Sequence, residues 1–267
     1  MRQAVFILTT TAIIIIIINT GAVLSKLEKN PAYKLDMAAD SVDDQFIGCA
    51  EETYKLIKDK VLDEELNKNK DFKNIWNKYL NIEDDFIRII KVYTSSVEEE
   101  LYSKFNDAVS SGKNEYPQTF KYTAFHFLLT RAVQIHKVPS CFNVFRRTAV
   151  SFEAKINDVI RFGRFASTSF RKDLDFFGNK SCFEINTCFG ADISTISVLP
   201  DEEEVLVPPY EMFTITKITL KTNHMNCEVL YTLKSAGNFS CMNCELLKHP
   251  PTTTILLPTL PQHRNME

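Results

Sequence analysis

The chain has 267 residues, of which 45% are hydrophobic, and its formal net charge at pH 7 is −3. This length is enough for one large domain or two small ones, and the hydrophobic content is that of a globular core, which excludes fibrous and disordered classes. Binding to nucleic acid usually needs a clustered basic face. A chain this close to neutrality gives no sign of one, so no nucleic-acid partner is expected.

The N-terminal segment is typical of an exported protein. Arg2 precedes an uncharged stretch, 3–25, whose apolar centre is followed by small residues at which cleavage can occur. We therefore predict a secretory signal peptide over residues 1–25. The alternative is a retained signal anchor in the membrane of the secretory pathway, because a bilayer span needs about 20 apolar residues.

The C-terminal segment argues against a lipid anchor. A glycolipid-anchored protein ends in a long hydrophobic tail. Here prolines interrupt the segment, its apolar run is only Ile255–Leu257, and the charged Arg264 and Glu267 follow. We expect residues 249–267 to be a disordered Pro/Thr-rich tail of a secreted, extracellular protein with no stable membrane anchor.

Seven cysteines accompany these export signals. An oxidising compartment makes disulfide pairing the rule, and an odd number leaves at least one cysteine free, paired between chains or modified. Cys241 and Cys244 form a lone CxxC without the second pair of a zinc site, so no metal is expected. The sequons at Asn179 (NKS) and Asn238 (NFS) are candidate glycosylation sites and fit export.

The pattern of apolar residues changes near the middle of the chain. From about 43 to 138 they recur at helical spacing, as in FIRIIKVYTSSVEEELYSKF and FKYTAFHFLLTRAVQIHK. From about 141 to 247 short runs rich in Val, Ile, Thr and Phe are divided by Gly and Pro, as in FEINTCFG and CEVLYTLKS. Helices followed by strands predict an α+β domain, placed at 40–247, with a mainly antiparallel sheet.

Three short pieces of the second half carry polar groups that a purely structural strand does not need. They are Arg146 in VFRRT, Ser167 in FASTS, and the acidic cluster DEEE at 201–204. Each alone has a simpler explanation, as a surface residue, a sheet edge and a solvated turn. Phe176 and Phe177, in the loop after STS, either cover a pocket or belong to the core.

In this order the three pieces resemble the arginine, serine and Glu-x-Glu signature of the arginine-specific mono-ADP-ribosyltransferases of the vertebrate ecto-enzyme type. The likeness covers nearly all of 40–247: DDQFIGCAEE and TCFGADI are similar to the family's two cysteine segments, and EEEVLVPPYEMF to its catalytic strand. The last segment is the most specific. The resemblance implies a helical half packed on a mainly antiparallel β-sandwich core that binds NAD.

The resemblance also implies a reaction, the transfer of ADP-ribose from NAD to arginine side chains of acceptor proteins with release of nicotinamide. Breaking the bond to nicotinamide leaves an oxocarbenium-like cation on the ribose, which a fixed carboxylate stabilises. Glu204 matches the family's catalytic glutamate. Glu202 is expected on the same face of an extended strand, where it orients the acceptor guanidinium. NAD enters as substrate, without a metal.

Two further positions match the signature and one departs from it. Arg146 matches the arginine that grips the dinucleotide, and Ser167 the serine that holds the catalytic carboxylate. Arg147 stands where the family commonly has a glycine whose backbone meets the nicotinamide amide. If that position is left-handed, a non-glycine residue costs about 1–2 kcal/mol there. A second cation beside the positively charged nicotinamide would also weaken NAD binding.

The disulfide framework follows from the same matching. The resemblance implies two bonds, Cys49–Cys244 and Cys141–Cys188. The cysteines outside the family pattern are Cys182, Cys227 and Cys241. For these we expect a Cys227–Cys241 bond across a hairpin, which leaves Cys182 unpaired.

Two alternatives to a transferase stay open at this point. One is a NAD glycohydrolase on the same fold, with water as acceptor. The other is a secreted, disulfide-stapled binding protein without catalysis. The combination of Arg146, Ser167, Glu202 and Glu204 favours an enzyme, and Arg147 is the feature that keeps the inactive protein open.

Overall fold

The computed structural model describes residues 32–95 and 100–249. The predicted signal peptide lies outside these ranges, as does the predicted tail apart from its first residue, His249. Among the described residues, none of the helices combines the length and the apolar character that a membrane crossing requires.

The first half of the described chain is helical, as predicted. Six helices precede the main strands: α1 (Ala50–Leu56), which runs through a π-helical stretch (Ile57–Val61) into α2 (Leu62–Lys68), then α3 (Lys70–Lys78), α4 (Asp85–Ser95), α5 (Leu101–Ser111) and α6 (Thr123–Ile135). Helix α6 packs against α4 and is apolar on almost every side because it lies inside the helical layer. The carboxylate of Glu65 accepts hydrogen bonds from the N–H groups of Ala124 (2.8 Å) and Phe125 (3.1 Å), which satisfies free donors at the start of α6.

The second half forms an eight-stranded sheet. Its strands are β2 (Phe142–Thr148), β4 (Val159–Ile160), β5 (Ala166–Ser169), β6 (Ser181–Thr187), β7 (Ala191–Asp192), β8 (Glu204–Val207), β9 (Glu211–Leu220) and β10 (Val229–Asn238). They lie in the order β4-β9-β10-β6-β2-β5-β8-β7. Strands β10 and β6 are parallel, and the other neighbours are antiparallel. This agrees with the predicted α+β class.

A small two-stranded sheet extends the fold towards the N-terminus. Strand β1 (Tyr33–Lys34) pairs in parallel with β3 (Phe152–Glu153). The folded unit therefore begins before residue 40, where the sequence pattern placed its start. Within the helix that closes the described chain, α7 (Glu245–Lys248), only Leu246 is buried.

The large sheet opens between β2 and β5. Strand β2 pairs with β6 along its whole length, and β5 does the same with β8. Between β2 and β5, in contrast, the only paired residues are Phe145 and Ser169. Beyond this point the two strands separate, and backbone groups on both strand edges are left without a ladder partner. A cleft therefore lies in the middle of the sheet.

Side-chain alternation along β8 links the sheet to two apolar cores. Leu206 packs into the core of the helical layer, with residues such as Phe105 and Phe165. Its neighbours Val205 and Val207 point to the other face of the sheet, into a second core. Because Glu204 is two residues before Leu206, it lies on the face that meets the helices.

Three disulfides are present in the described residues, and one of them corrects a sequence prediction. Cys49–Cys244 and Cys141–Cys188 are the two bonds that the resemblance implied. The third is Cys182–Cys227, so the expected Cys227–Cys241 pair is wrong. The parallel pairing of β6 with β10 sets Leu230 beside Cys182, which brings the nearby Cys227 within bonding distance. The free thiol is the exposed Cys241.

Candidate active site

A cavity of about 360 Å³ lies where β2 and β5 separate. Strands β2 and β5, the start of α5, the loop after β5 and the turn before β8 form its walls. The lining residues are Tyr102, Ser103, Phe145, Arg146, Arg147, Thr148, Ala149, Ser167, Thr168, Ser169, Arg171, Leu174, Phe177, Leu199, Glu202 and Glu204. The fold thus brings the five predicted site residues, which come from three separate segments, to a single cavity.

Glu204 is the most deeply buried acid of this cavity. Its residue is 4% exposed, and it pairs across the sheet with Ser169 of β5. Ser167 forms a hydrogen bond with the carboxylate, and the Ser197 hydroxyl donates to Oε2 at 3.4 Å. Burial raises the pKa of Glu204 to about 7, although the hydrogen bond from Ser167 works in the opposite direction. The carboxyl group therefore titrates in the neutral range.

Glu202 reaches the same cavity by a different backbone path from the one predicted. It ends a 3₁₀ turn, Pro200–Glu202, and Glu203 follows in the left-handed conformation (φ 45°) before the strand begins at Glu204. The expectation of two glutamates on one face of an extended strand is therefore wrong. A turn that starts at a proline brings both carboxylates to the cavity, while Glu203 is exposed. Burial raises the pKa of Glu202.

Ser167 lies between Glu204 and the helical layer. Its Oγ accepts a hydrogen bond from the Tyr102 hydroxyl at 3.4 Å, and the Tyr93 hydroxyl is 3.5 Å away. A serine hydroxyl has one proton and two lone pairs. Accepting from Tyr102 leaves that proton for the carboxylate of Glu204, so the contact orients the serine towards the acid.

Arg146 spans the opening in the sheet. Its Nη1 donates to the backbone carbonyl of Ser167 at 2.5 Å, which links β2 to β5 where their ladder is interrupted. A guanidinium has five N–H donors in a rigid fork. The side chain also lines the cavity and, as a nearby positive charge, lowers the pKa of Glu204.

Arg147 does not behave as the sequence predicted. It lies in regular pairing with Cys182 of β6 and is not among the non-glycine residues with positive φ, so the left-handed strain considered for this position does not arise. Its guanidinium forms an ion pair with Asp175 at 2.9 Å. The charge is therefore paired with a loop carboxylate rather than presented alone beside the ligand.

Sequence reasoning missed three polar residues around the cavity: Tyr102, Ser197 and Arg171. Arg171 donates to the Asp201 carbonyl at 2.9 Å, so it joins the loop after β5 to the turn before β8. Its place in the same segment as Ser167 is the one signal that could have revealed it. Tyr102 and Ser197 meet the site only through tertiary packing, and their local sequences give no such signal.

The two adjacent phenylalanines are part of this region. Phe176 is 73% exposed and Phe177 is exposed as well, so the alternative that the pair belongs to the core is wrong. They form a 3₁₀ turn, Asp175–Phe177, and Phe177 lines the cavity. The loop after β5 thus forms one rim of the site.

Comparisons with known proteins identify the family of the chain. The family profile described as "ART: NAD:arginine ADP-ribosyltransferase" matches residues 35–237. The chain belongs to this family. The erythroblast NAD(P)(+)--arginine ADP-ribosyltransferase of Gallus gallus is 32% identical over 251 residues, which cover 86% of this chain and 82% of the relative. The T-cell ecto-ADP-ribosyltransferase 2 of Mus musculus is 34% identical over 230 residues, 78% of this chain and 77% of the relative.

The solved structures place this member of the NAD:arginine ADP-ribosyltransferase family in the same fold. A mutant of the eukaryotic mono-ADP-ribosyltransferase ART2.2 in complex with NAD is similar with a TM-score of 0.66 and 30% identity. The match covers 79% of this chain and 98% of that one. NAD is the substrate that the family binds. In the ranges 32–95 and 100–249, no group of His, Cys, Asp and Glu side chains is arranged to hold a metal ion.

Proposed function

We propose that this protein transfers ADP-ribose from NAD to arginine side chains of extracellular or secretory-pathway proteins and releases nicotinamide. The observation that carries the proposal is the buried carboxylate of Glu204, held by Ser167 in the cavity between β2 and β5. Membership of the NAD:arginine ADP-ribosyltransferase family supports it.

Glu204 is the catalytic carboxylate in this proposal. The bond between nicotinamide and ribose breaks, its electron pair leaves with nicotinamide, and positive charge grows on the ribose. An ionised carboxylate in a buried site stabilises that charge more in the transition state than in the ground state. The hydrogen bond from Ser167 fixes the side chain of Glu204, which reduces the reorganisation needed during the reaction.

Arg146 is the NAD-binding arginine in this proposal. Its bond to the Ser167 carbonyl uses one donor and holds the guanidinium across the opening of the sheet. The remaining donors suit the phosphate or ribose oxygens of a dinucleotide, because a planar fork matches such acceptors. Ser167, Glu204 and the backbone of Arg147 complete the proposed contacts with NAD.

Glu202 acts on the acceptor. A guanidinium nitrogen attacks the anomeric carbon of the ribose, and the arginine must give up one proton to remain a stable product. Glu202 lines the cavity with Glu204, and burial raises its pKa, which makes it a better proton acceptor than an exposed glutamate. It therefore positions the acceptor and receives its proton.

Secretion and glycosylation are parts of the same proposal. Three disulfides within the described residues fit an oxidising compartment. Both candidate glycosylation sites, Asn179 and Asn238, have exposed side chains, as a glycan requires. The proposed product is a secreted enzyme whose catalytic domain covers residues 40–247 together with β1.

Arg147 no longer supports the inactive alternative. Backbone strain or an unpaired cation at the nicotinamide site would favour that alternative. Arg147 instead lies in regular strand pairing, and its guanidinium is paired with Asp175. The two arguments from Arg147 against catalysis therefore do not apply, and the four signature residues favour an enzyme.

The test is an assay of the secreted, disulfide-bonded protein with NAD labelled in its adenylate part and agmatine as a small guanidino acceptor. We expect ADP-ribosylated agmatine and nicotinamide in nearly equal amounts, and only slow hydrolysis of NAD to ADP-ribose and nicotinamide when agmatine is omitted. Release of nicotinamide without transfer would show a glycohydrolase instead. Neither product, from protein shown to be folded, would contradict both activities.

A further inference from the structure

Arg147 and two cysteines outside the signature motifs meet at one place in the structure. The two cysteines are Cys182 and Cys227. Arg147 is the ladder partner of Cys182 across β2 and β6. Cys182 is bonded to Cys227, and Arg147 Nη1 lies 3.6 Å from the Cys227 sulfur. The arginine and the disulfide therefore form one contiguous cluster.

The guanidinium of Arg147 is bound on two sides. On one side, Nε donates to the Lys172 carbonyl at 2.7 Å, and Nη2 pairs with Asp175 at 2.9 Å. On the other side, Nη2 donates to the Met225 carbonyl at 2.8 Å, and the Cys227 sulfur is the further contact. The side chain is 6% exposed. All of its nitrogens are thus used to join two loops.

The first of these loops, 172–177, is named the cavity loop. It contains Leu174 and Phe177, which line the cavity. Its backbone hydrogen bonds at Asp175 and Phe177 are internal, to the carbonyls of Asp173 and Leu174. Bonds of this kind shape a loop but do not fix it to the rest of the fold, so the position of the cavity loop depends on contacts such as those from Arg147.

The second loop, 223–227, is named the anchor loop. Its Asn223 side chain accepts from the N–H groups of Met225 and Cys227 and donates to the Cys227 carbonyl. The disulfide then ties Cys227 to Cys182 in the middle of the sheet, and both cysteines are buried. The anchor loop is therefore fixed to the sheet. The hydrogen bonds and the ion pair of Arg147 hold the cavity loop in place relative to the anchor loop.

We propose that Arg147 is a positioning residue, which holds the cavity loop against the Cys182–Cys227 anchor and so keeps one wall of the NAD cavity in place. The effect on NAD rests on the proposed function, whereas the effect on the loop does not. A loop that is already ordered gives up less conformational freedom when a ligand binds, which strengthens binding. The side chain of Arg147 acts through Leu174 and Phe177 and does not itself react, whereas its backbone is unchanged by the substitutions used below.

Hydrogen exchange in the absence of NAD tests the effect on the loop. In Arg147→Ala, exchange of the backbone amides of Asp175, Phe177 and Gly178 should become about tenfold faster, because local opening governs their exposure. Arg147→Gly should behave in the same way, and Asp175→Asn should give a smaller increase. Arg131→Ala, which removes a half-buried arginine of α6 bonded to Gln134, is the matched control and should leave the cavity loop unchanged.

Steady-state kinetics test the effect on NAD. We expect Arg147→Ala and Arg147→Gly to raise KM for NAD about tenfold, in the range of lost hydrogen bonds to a charged group, with kcat changed less than about twofold because Glu204 and Ser167 keep their contacts. Arg147→Lys retains the charge but not the fork, so it should restore only part of the binding. A lower KM for NAD in Arg147→Gly would overturn the proposal, since it would mean that the arginine obstructs the ligand.

A variant that lacks both cysteines tests the link between the disulfide and the arginine. Cys182→Ala/Cys227→Ala should speed exchange of the cavity loop when Arg147 is present. The same change should add little when Arg147 is already alanine, because the disulfide affects the cavity loop through Arg147. Additive effects, or unchanged loop exchange in every Arg147 variant, would contradict the proposal. If the native protein transfers nothing while the exchange results hold, the proposed function fails and the positioning role of Arg147 stands.

Discussion

Two buried glutamates at the starts of consecutive strands have very different surroundings. Glu211, at the start of β9, is 0% exposed and accepts four hydrogen bonds: from Thr187, Ser235 and the backbone N–H groups of Cys188 and Phe189. Glu204, at the start of β8, is nearly as buried, but within residues 32–95 and 100–249 its carboxylate is met only by the hydroxyls of Ser167 and Ser197. An ionised carboxylate offers about four lone-pair sites, so Glu211 is saturated and Glu204 is not.

The difference separates a structural carboxylate from a catalytic one. The donors around Glu211 fasten the end of β6, next to the Cys141–Cys188 disulfide, to β9, and nothing in that corner is left for a ligand. The unused acceptor capacity of Glu204 faces a cavity instead. Burial of a carboxylate is unfavourable unless hydrogen-bond donors offset the loss of water. At Glu204 the protein leaves part of the acceptor capacity unused, and the bound ligand supplies the remaining hydrogen bonds.

Glu65 in the helical layer belongs with Glu211. It is buried, and its two oxygens accept from the N–H groups of Ala124 and Phe125 at the start of α6. The helical layer therefore uses a buried acid as a cap, where free backbone donors and the positive end of the helix dipole favour it. Burial of an acid therefore does not by itself identify a catalytic residue: the two oxygens of Glu65 are held by backbone N–H groups, whereas Glu204 lies beside Glu202 and Arg146 in the cavity between β2 and β5.

A large loss of transfer is expected at the acceptor carboxylate, Glu202. Glu202→Gln should reduce transfer to agmatine about a hundredfold, the usual size of a general-base contribution, while cleavage of NAD by water is retained. Glu203→Gln, which changes the exposed neighbour in the same turn, is the control and should have no effect. Equal losses of transfer and NAD cleavage in Glu202→Gln would contradict the acceptor role.

A large loss of stability is expected at the saturated carboxylate. Glu211→Gln places an amide N–H₂ group against N–H and O–H donors, and we expect the free energy of unfolding in urea to fall by about 2–3 kcal/mol. Transfer per mole of folded protein should stay unchanged. Glu153→Gln, at an exposed position of β3, should unfold like the native protein. If Glu211→Gln loses catalysis without losing stability, the distinction between the two glutamates fails.

The pH dependence of catalysis should follow the unsaturated carboxylate. Because the pKa of Glu204 is raised to about 7 and the ionised form is the active one, kcat/KM for NAD should rise as pH increases. One ionisation with this pKa gives an increase of about tenfold between pH 6 and pH 8. The hydrogen bond from Ser197 lowers the pKa of Glu204, so Ser197→Ala should move the profile to higher pH. A flat profile would mean that Glu204 does not titrate in this range.

Much of the fold could be predicted from the sequence, because most helices and strands are determined by the pattern of residues within each segment. Helical periodicity predicts α4 and α6, and alternating β-branched residues predict β2, β6, β8, β9 and β10. The signature residues in β2, β5 and the segment leading into β8 likewise lie in short motifs. The sequence could not show the single residue pair between β2 and β5, because register between strands distant in sequence depends on tertiary packing.

The errors at the site have the same origin. Strand alternation does not reach Glu202, because the 3₁₀ turn that begins at Pro200 and the left-handed conformation of Glu203 interrupt it. The Cys182–Cys227 bond follows from the parallel pairing of β6 with β10, which no local pattern predicts. The motif around Arg147 does not reveal its role, because its side-chain partners belong to two loops that are distant in sequence.

The rate of ADP-ribose transfer to agmatine by Glu204→Gln, measured per mole of folded protein together with the free energy of unfolding, decides whether Glu204 is the catalytic carboxylate. We expect transfer to fall about a thousandfold while stability is retained, because the change removes a buried charge and keeps the shape of the side chain. A variant that is folded and still transfers at the native rate would contradict the assignment of Glu204 as the catalytic carboxylate.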